Sequence, residues 1–331
     1  MKKFINDSGS LTKELLEGYA MAYHDLVRLE NDHIIVNSDL EKLNRVTVAA
    51  AGGSGHEPAI SGYVGNGMVD VSIVGDIFTA PGVKAAVEGI KLADRGKGVL
   101  FIVLKHAGDM LTGTKAAEEC NKSGIRVRMI VTQEDISNAP RTRSSERRGL
   151  VGCVPLYKIA GAAAAEGKDL DEVADIAQKF ADQMATIAVG VRGATHPATG
   201  KLLSEFGEDD MEIGMGQHGE EGGGRQKLRS ADETAELMLN ALIRDLGIRS
   251  GEKVMLILDG TGATTLMELF IIYRKCAEIL QNRNIEIVAD HIGELLTVQE
   301  AAGFQMFLAR MDDDLTDLWN AGCNTAYFKK I

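Results

Sequence analysis

The sequence predicts an α/β protein of two α/β domains, with largely parallel or mixed sheets covered by helices. Two observations carry this. Short apolar runs of strand type alternate with helical stretches along most of the chain. Those runs are apolar throughout instead of alternating with polar residues, which is the pattern of a sheet covered on both faces. A length of 331 residues suits two domains. With 37 glycines against 5 prolines, tight turns around a ligand fit better than long stiff linkers.

The elements follow in order. After the leader MKKFINDSGS, the stretch LTKELLEGYAMAYHDLVRL carries apolar residues at helical spacing, and Ser10 is placed to cap it. HIIV and VTVAAA are short β-branched runs of strand type. VTVAAA runs straight into the turn GGSGHEPAISGYVGNG. VDVSIVG reads as a strand, and PGVKAAVEGIKLADRG as a helix starting near Pro81. GVLFIVLKHAGD is an apolar strand that ends in a polar turn. TGTKAAEECNKSG reads as a helix and IRVRMIVT as a strand. The polar, basic stretch DISNAPRTRSSERRG then breaks the pattern and reads as a loop or a clamp. Helical segments follow at 155–167 and 170–186. MATIAVGVR restarts the pattern, which places the domains at 1–185 and 186–331. In the second half, SADETAELMLNALIRDLG is a helix capped by Ser230. KVMLILDGTGATTLMELFIIYRKCAEIL reads as strand, glycine turn and helix, and IEIVADHIG and FQMFLARM as closing strands.

Composition excludes several classes. Lys and Arg number 36 against 48 Asp and Glu, a net charge of −12, which disfavours direct binding to nucleic acid or to an anionic membrane. No apolar run approaches the roughly 20 residues of a membrane span. Cys120, Cys153, Cys276 and Cys323 form no C-x-x-C pair and read as reduced thiols of a cytoplasmic protein. No H-E-x-x-H, Cys/His cluster or ladder of aspartates points to a metal site, so none is expected.

Three glycine-rich turns hold the candidate chemistry. GGSGHEP follows a strand but fits neither the phosphate-loop nor the dinucleotide spacing. Its His56 either donates to a ligand oxygen or shuttles a proton, or it is a structural turn residue. KHAGDML places Asp109 at the carboxyl end of an apolar strand, where open α/β sheets form their ligand crevice. Asp109 is either a base toward a hydroxyl or a helix cap. GMGQHGEEGGGR surrounds His218 with glycines, which leaves the imidazole few packing neighbours and free to face a ligand. A neutral imidazole can add to a carbonyl carbon. Glu220 beside it either holds the ring tautomer or is solvated. His24, His33, His196 and His291 read as structural or surface residues.

GGSGHEPA, GYVGNGM, GDIFTAP, the Asp109 turn, SERRG, GMGQHGE and GATTLMELFIIYR together resemble the dihydroxyacetone kinase substrate-subunit (DhaK) family in order and spacing. The resemblance runs nearly end to end. It implies two DhaK-like α/β domains, a homodimer, no resident cofactor, and dihydroxyacetone held near the strand ends. It implies a hemiaminal between the ketone carbon and His218, with His56 and Asp109 bonding the hydroxyls and assisting proton transfer. Gly53 and Phe78 match positions that line the family's site. Nucleotide would sit on a separate subunit, in keeping with the missing phosphate-loop motif.

The chain departs from the family pattern around these residues. The usual Lys-Asn-Tyr-Thr-Gly-Asp is here Leu104, Lys105, His106, Ala107, Gly108, Asp109. The usual triple glycine is Ala51, Gly52, Gly53, and the usual Gly-Glu-Pro-Gly is Gly219, Glu220, Glu221, Gly222. Asn-Gly-Leu-Gly-Ala-Thr is Asp259, Gly260, Thr261, Gly262, Ala263, Thr264. An added carboxylate such as Glu221 would repel an incoming polyphosphate. The pattern fits the DhaQ-type co-activators, paralogues that bind dihydroxyacetone and partner a DNA-binding regulator of the kinase operon. The competing expectation is a working substrate subunit whose partner is the nucleotide-bearing kinase subunit. A carbonyl enzyme of aldolase type lacks a Schiff-base lysine near the three residues.

Overall fold

The computed structural model describes residues 2–220 and 222–331. The first half contains α1 (Leu11–Ala22), β1 (Val27–Glu30), β2 (Ile34–Asn37), β3 (Thr47–Ser54), β4 (Gly65–Asn66), β5 (Val71–Ile77), α2 (Val83–Ala93), β6 (Val99–Leu104), α3 (Ala107–Lys122), β7 (Val127–Thr132), α4 (Cys153–Ala165) and α5 (Leu170–Asp182). The second contains β8 (Met184–Arg192), β9 (Asp210–Ile213), β10 (Arg225–Lys227), α6 (Ala231–Leu246), β11 (Lys253–Gly260), α7 (Leu266–Asn282), β12 (Glu286–Gly293), β13 (Ala302–Met311), α8 (Asp313–Asn320), β14 (Cys323–Thr325) and β15 (Lys329–Lys330).

The first sheet has the order β1-β2-β5-β3-β6-β7. Its β5, β3, β6 and β7 run parallel, while β1 and β2 are antiparallel additions at one edge. Burial of both faces explains the unbroken apolar strands. Ala49, Ala51, Phe101 and Val103 pack with α2 and α3. Val48, Ala50, Leu100 and Ile102 point the other way, into a cluster with α4 and α5. That cluster also holds Met255, Ile257, Phe307 and Ala309, so α4 and α5 join the two sheets. The second sheet, β10-β9-β8-β13-β11-β12, is mixed, and α6 and α7 cover its far face. The mixed α/β class read from the sequence is what the chain adopts.

Two local expectations need correction. The first helix stops at Ala22, and VRLE is strand β1, not helix. Asn31 and Asp32, at φ 51° and 60°, lie in the three-residue turn 31–33 that folds β1 back on β2. Pairing at a sheet edge there overrides helical periodicity. Ser10 stands at the helix start, but its hydroxyl bonds Glu14 and the Asp7 carbonyl, not a helical amide. Ser230, by contrast, forms the expected cap with Glu233. The basic stretch is a clamp: Arg141 and Arg147 both grip Asp245 of α6. β14 pairs with β4, returning the end of the chain to the first half. The four cysteines are buried and unpaired with one another. No helix among the described residues is long and apolar enough to cross a membrane.

Candidate functional site

A cavity of about 380 Å³ opens beyond the carboxyl ends of β3, β5 and β6, where an open α/β sheet leaves its crevice. Gly52 and Gly53 lie near the end of β3, and His56 stands in the turn that follows. Phe78 follows β5, and Leu104 ends β6. Asp109 lies in the first turn of α3. His218 arrives from the loop after β9, in the other half of the chain. Gly53, His56, Phe78, Asp109 and His218 therefore all line one cavity.

Local backbone demands explain the glycines. A Cβ on Gly53 would stand 2.6 Å from the Thr79 amide nitrogen, so only glycine lets the segment after β5 cross this close. Phe78 in that segment holds φ +57°, which costs a residue with a side chain about 1–2 kcal/mol. Its ring is thereby presented to His56 at 5.0 Å and to His218 at 5.4 Å between centroids. A Cβ on Gly216 would stand 2.3 Å from an Arg148 guanidinium nitrogen. Arg148 donates to the Gly214 carbonyl at 3.2 Å and is anchored on Asp135 at 2.8 Å. The clamp thus pins the loop that carries His218.

The proton arrangement follows from the partners. His56 is buried, and its Nδ1 lies 2.8 Å from the Thr297 carbonyl oxygen. A carbonyl only accepts, so Nδ1 carries the proton and Nε2 presents its lone pair. That Nε2 faces the His218 Nε2 at 3.1 Å. Burial, reinforced by the His218 charge, holds the pKa of His56 down at about 3, so its ring is neutral. On the far side of His218, Nδ1 is 3.4 Å from a Glu220 carboxylate oxygen, and the His218 amide donates to the other at 2.8 Å. Burial pushes the Glu220 carboxyl up, but the His218 bond and charge outweigh it and bring it to about 2. Glu220 thus orients the ring and stays ionised.

Asp109 is the third residue of α3, and the N-cap position belongs to His106. The helix-cap reading of Asp109 is therefore overturned. Its Oδ1 is buried with no hydrogen-bond partner among the described residues, and burial raises its pKa to about 6. Gln217 Oε1 is likewise buried and unpartnered. Two orphaned acceptors in one small cavity call for a ligand that brings donors.

Three residues escaped the sequence reading. His106 lines the cavity wall, with its Nε2 3.0 Å from the Gly149 carbonyl and its ring 5.5 Å from that of His218. The strand-end position that singled out Asp109 applied equally to His106. Gln217 was adjacent to His218 but carried no signal of its own. His196, read as structural or surface, stacks edge-on against Phe78 at 5.5 Å. Its loop position gave no indication of that. One donor atom each from His106, His218 and Glu220 lie within 4.8 Å of one another.

The departures from the family pattern also acquire places. Leu104 and His106 are in the cavity wall itself, closer than the rim expected of them. Asp259 is buried and accepts from the Leu295 and Leu296 amides, which fixes Leu296 at the cavity. Glu221 lies outside the described residues.

Comparison with known proteins gives the family. The Dak1 domain matches residues 17–327. The chain is 35% identical over 331 residues to the dihydroxyacetone-binding subunit DhaK of PTS-dependent dihydroxyacetone kinase 2 from Listeria innocua serovar 6a, covering 99% of both chains. Among solved structures, it superposes on the dihydroxyacetone kinase operon co-activator Dha-DhaQ with a TM-score of 0.91 and 28% identity, covering 96% of this chain and 98% of that one. It also superposes on the dihydroxyacetone kinase of C. freundii with a TM-score of 0.90 and 28% identity, covering 99% of this chain and 60% of that one. The chain belongs to the Dak1-domain family, the family of the DhaK subunits.

Proposed function

We propose that this protein binds dihydroxyacetone as a hemiaminal on His218 and serves as a ligand sensor for a DNA-binding regulator of a dihydroxyacetone kinase operon. The observation that carries the binding step is the 3.1 Å approach of the two Nε2 atoms of His56 and His218 beside Asp109, whose Oδ1 has no partner among the described residues. As the His218 Nε2 bonds to the ketone carbon, His56 takes the proton lying between the two nitrogens. The carbon–oxygen π bond breaks, and His56 returns that proton to the ketone oxygen. A buried imidazole of low basicity passes a proton on instead of retaining it. Glu220 pairs with the ring through Nδ1. Asp109 and Gln217 accept from the two hydroxyls. A carbonyl is required, so glycerol is refused although its shape is similar.

The sensing role rests on the cavity wall. No lysine or arginine lines it among the described residues. Leu104 and His106 stand where family kinase subunits read Lys and Tyr. A substrate subunit of a phosphotransferase-dependent kinase is the second reading, favoured by the 35% identity to the Listeria subunit. Reconstitution separates the two. The protein is mixed with the nucleotide-bearing subunit and phosphoryl donor of its own cell, and dihydroxyacetone phosphorylation is followed. No turnover, with dihydroxyacetone-dependent capture of a DNA-binding regulator, is expected. Turnover at the rate of a working kinase would remove the sensing role.

A further inference from the structure

We propose that His106, His218 and Glu220 form a binding site for a divalent transition-metal ion of zinc type. The three residues come from two separate loops, and one donor atom of each lies within 4.8 Å of the others. Donors around a tetrahedral zinc stand roughly 3.3 Å apart, given metal–ligand distances of about 2.0–2.2 Å. The closure still needed is on the order of 1 Å. Glu220 can supply it, since its side chain is 42% exposed and its neighbour Gly219 is a glycine at φ +86°.

The outer partner is already in place. His106 Nε2 is 3.0 Å from the Gly149 carbonyl oxygen, so that nitrogen carries the proton and Nδ1 keeps its lone pair. The Gly149 amide in turn donates to the Lys105 carbonyl at 3.3 Å, next to His106 in the chain. A histidine whose second nitrogen donates to a backbone carbonyl is the usual arrangement of a metal ligand. The cavity as a whole is rich in lone pairs and poor in donors. His56 Nε2, His106 Nδ1, Asp109 Oδ1 and Gln217 Oε1 all present acceptors toward it. Two imidazoles and one carboxylate select a borderline ion such as zinc over a hard one such as magnesium. With three protein ligands, zinc would keep a position open to water. The metal would take His218 Nδ1, the nitrogen that lies 3.4 Å from the Glu220 carboxylate, and would leave Nε2 facing His56.

The test is calorimetric titration of the metal-free full chain with zinc chloride alone. One zinc per chain is expected, with no comparable binding of magnesium. X-ray absorption at the zinc edge should report two imidazoles and oxygen ligands. His106→Asn and Glu220→Gln, with unchanged circular dichroism, should each weaken zinc by more than the roughly 100-fold that loss of an outer partner alone can cost. His24→Ala, which removes an exposed surface histidine paired with Asp25, should not. Wild-type zinc affinity in both site variants, or magnesium bound as tightly as zinc, would overturn the proposal. The metal site does not rest on the ketone reading, with which it shares only the His218 ring. Zinc bound by a protein that never takes ketone would leave the metal site standing and remove the function above.

Discussion

The Nε2 atoms of His56 and His218 face each other at 3.1 Å across 162 positions of sequence. Two lone pairs cannot meet at that distance, so a proton lies between them or a ligand atom inserts. The Thr297 carbonyl fixes which His56 nitrogen carries hydrogen, and Glu220 fixes the orientation of the His218 ring. The pair is therefore set for one proton to move as a bond forms at His218.

His218→Ala is expected to abolish the covalent adduct and leave the fold intact. Native mass spectrometry should show one dihydroxyacetone per wild-type chain and none on the variant. Affinity should fall by at least about 100-fold, or about 2.7 kcal/mol. Wild-type retention of dihydroxyacetone by this variant would sink the hemiaminal.

Asp109 is expected to set the pH dependence of binding. Its carboxylate is the form that accepts from a ligand hydroxyl, and burial holds its pKa at about 6. Affinity should rise as pH passes from roughly 5 to roughly 7, and Asp109→Asn should flatten that profile. Stability has the opposite sign. The folded protein holds this proton more tightly than an unfolded chain with a carboxyl near about 3.9. That contribution is present at low pH and is lost as pH rises toward about 6. Calorimetric affinities that stay level across the window would remove Asp109 from hydroxyl recognition.

Gln217 should show a trade between stability and affinity. Its Oε1 is buried with no partner among the described residues, a state that costs about 1–3 kcal/mol. Gln217→Met should therefore raise the melting temperature of the ligand-free protein. It should also weaken dihydroxyacetone by about 0.5–1.5 kcal/mol, the net worth of one neutral hydrogen bond. A variant less stable and equally tight-binding would show that the amide does not face the ligand.

The parts of this site that local chemistry dictates were legible in the sequence. A glycine turn after an apolar strand, and a carboxylate at a strand's carboxyl end, led to His56 and Asp109, while Gly53 and Phe78 came only from the family resemblance. The glycines around GMGQHGE led to His218. What escaped depends on contacts between distant segments. His106 was judged only as a departure from a pattern, because its partner Gly149 lies 43 positions away. His196 reaches Phe78 from a loop with no regular period. The metal donors were invisible to any spacing rule, since His106 and His218 come from different halves of the chain. In the fold, β1 was hidden inside a helical pattern because edge pairing with β2 decided its state. The short strands β4, β14 and β15 pair only through tertiary contact, so their sequences carry little signal.

The basic clamp gives a stability prediction of its own. Arg147 is buried, with a side chain only 1% exposed, and its charge meets Asp245, which is 12% exposed. Its Nε also donates to the Ala139 carbonyl at 2.8 Å. Arg141 shares the same carboxylate but is 33% exposed and can turn to water. Asp245→Ala leaves the Arg147 charge buried without a counter-charge, which costs about 3–5 kcal/mol for a pair of this kind. Arg141→Ala removes a half-exposed partner and should cost about 1 kcal/mol or less. The neighbouring Arg148 holds the His218 loop through Gly214, so loosening the clamp should also weaken ligand binding. Thermal unfolding of the two variants checks the ranking. Equal melting temperatures would mean that water reaches Arg147 once Asp245 is gone, and that the clamp is not a dry contact.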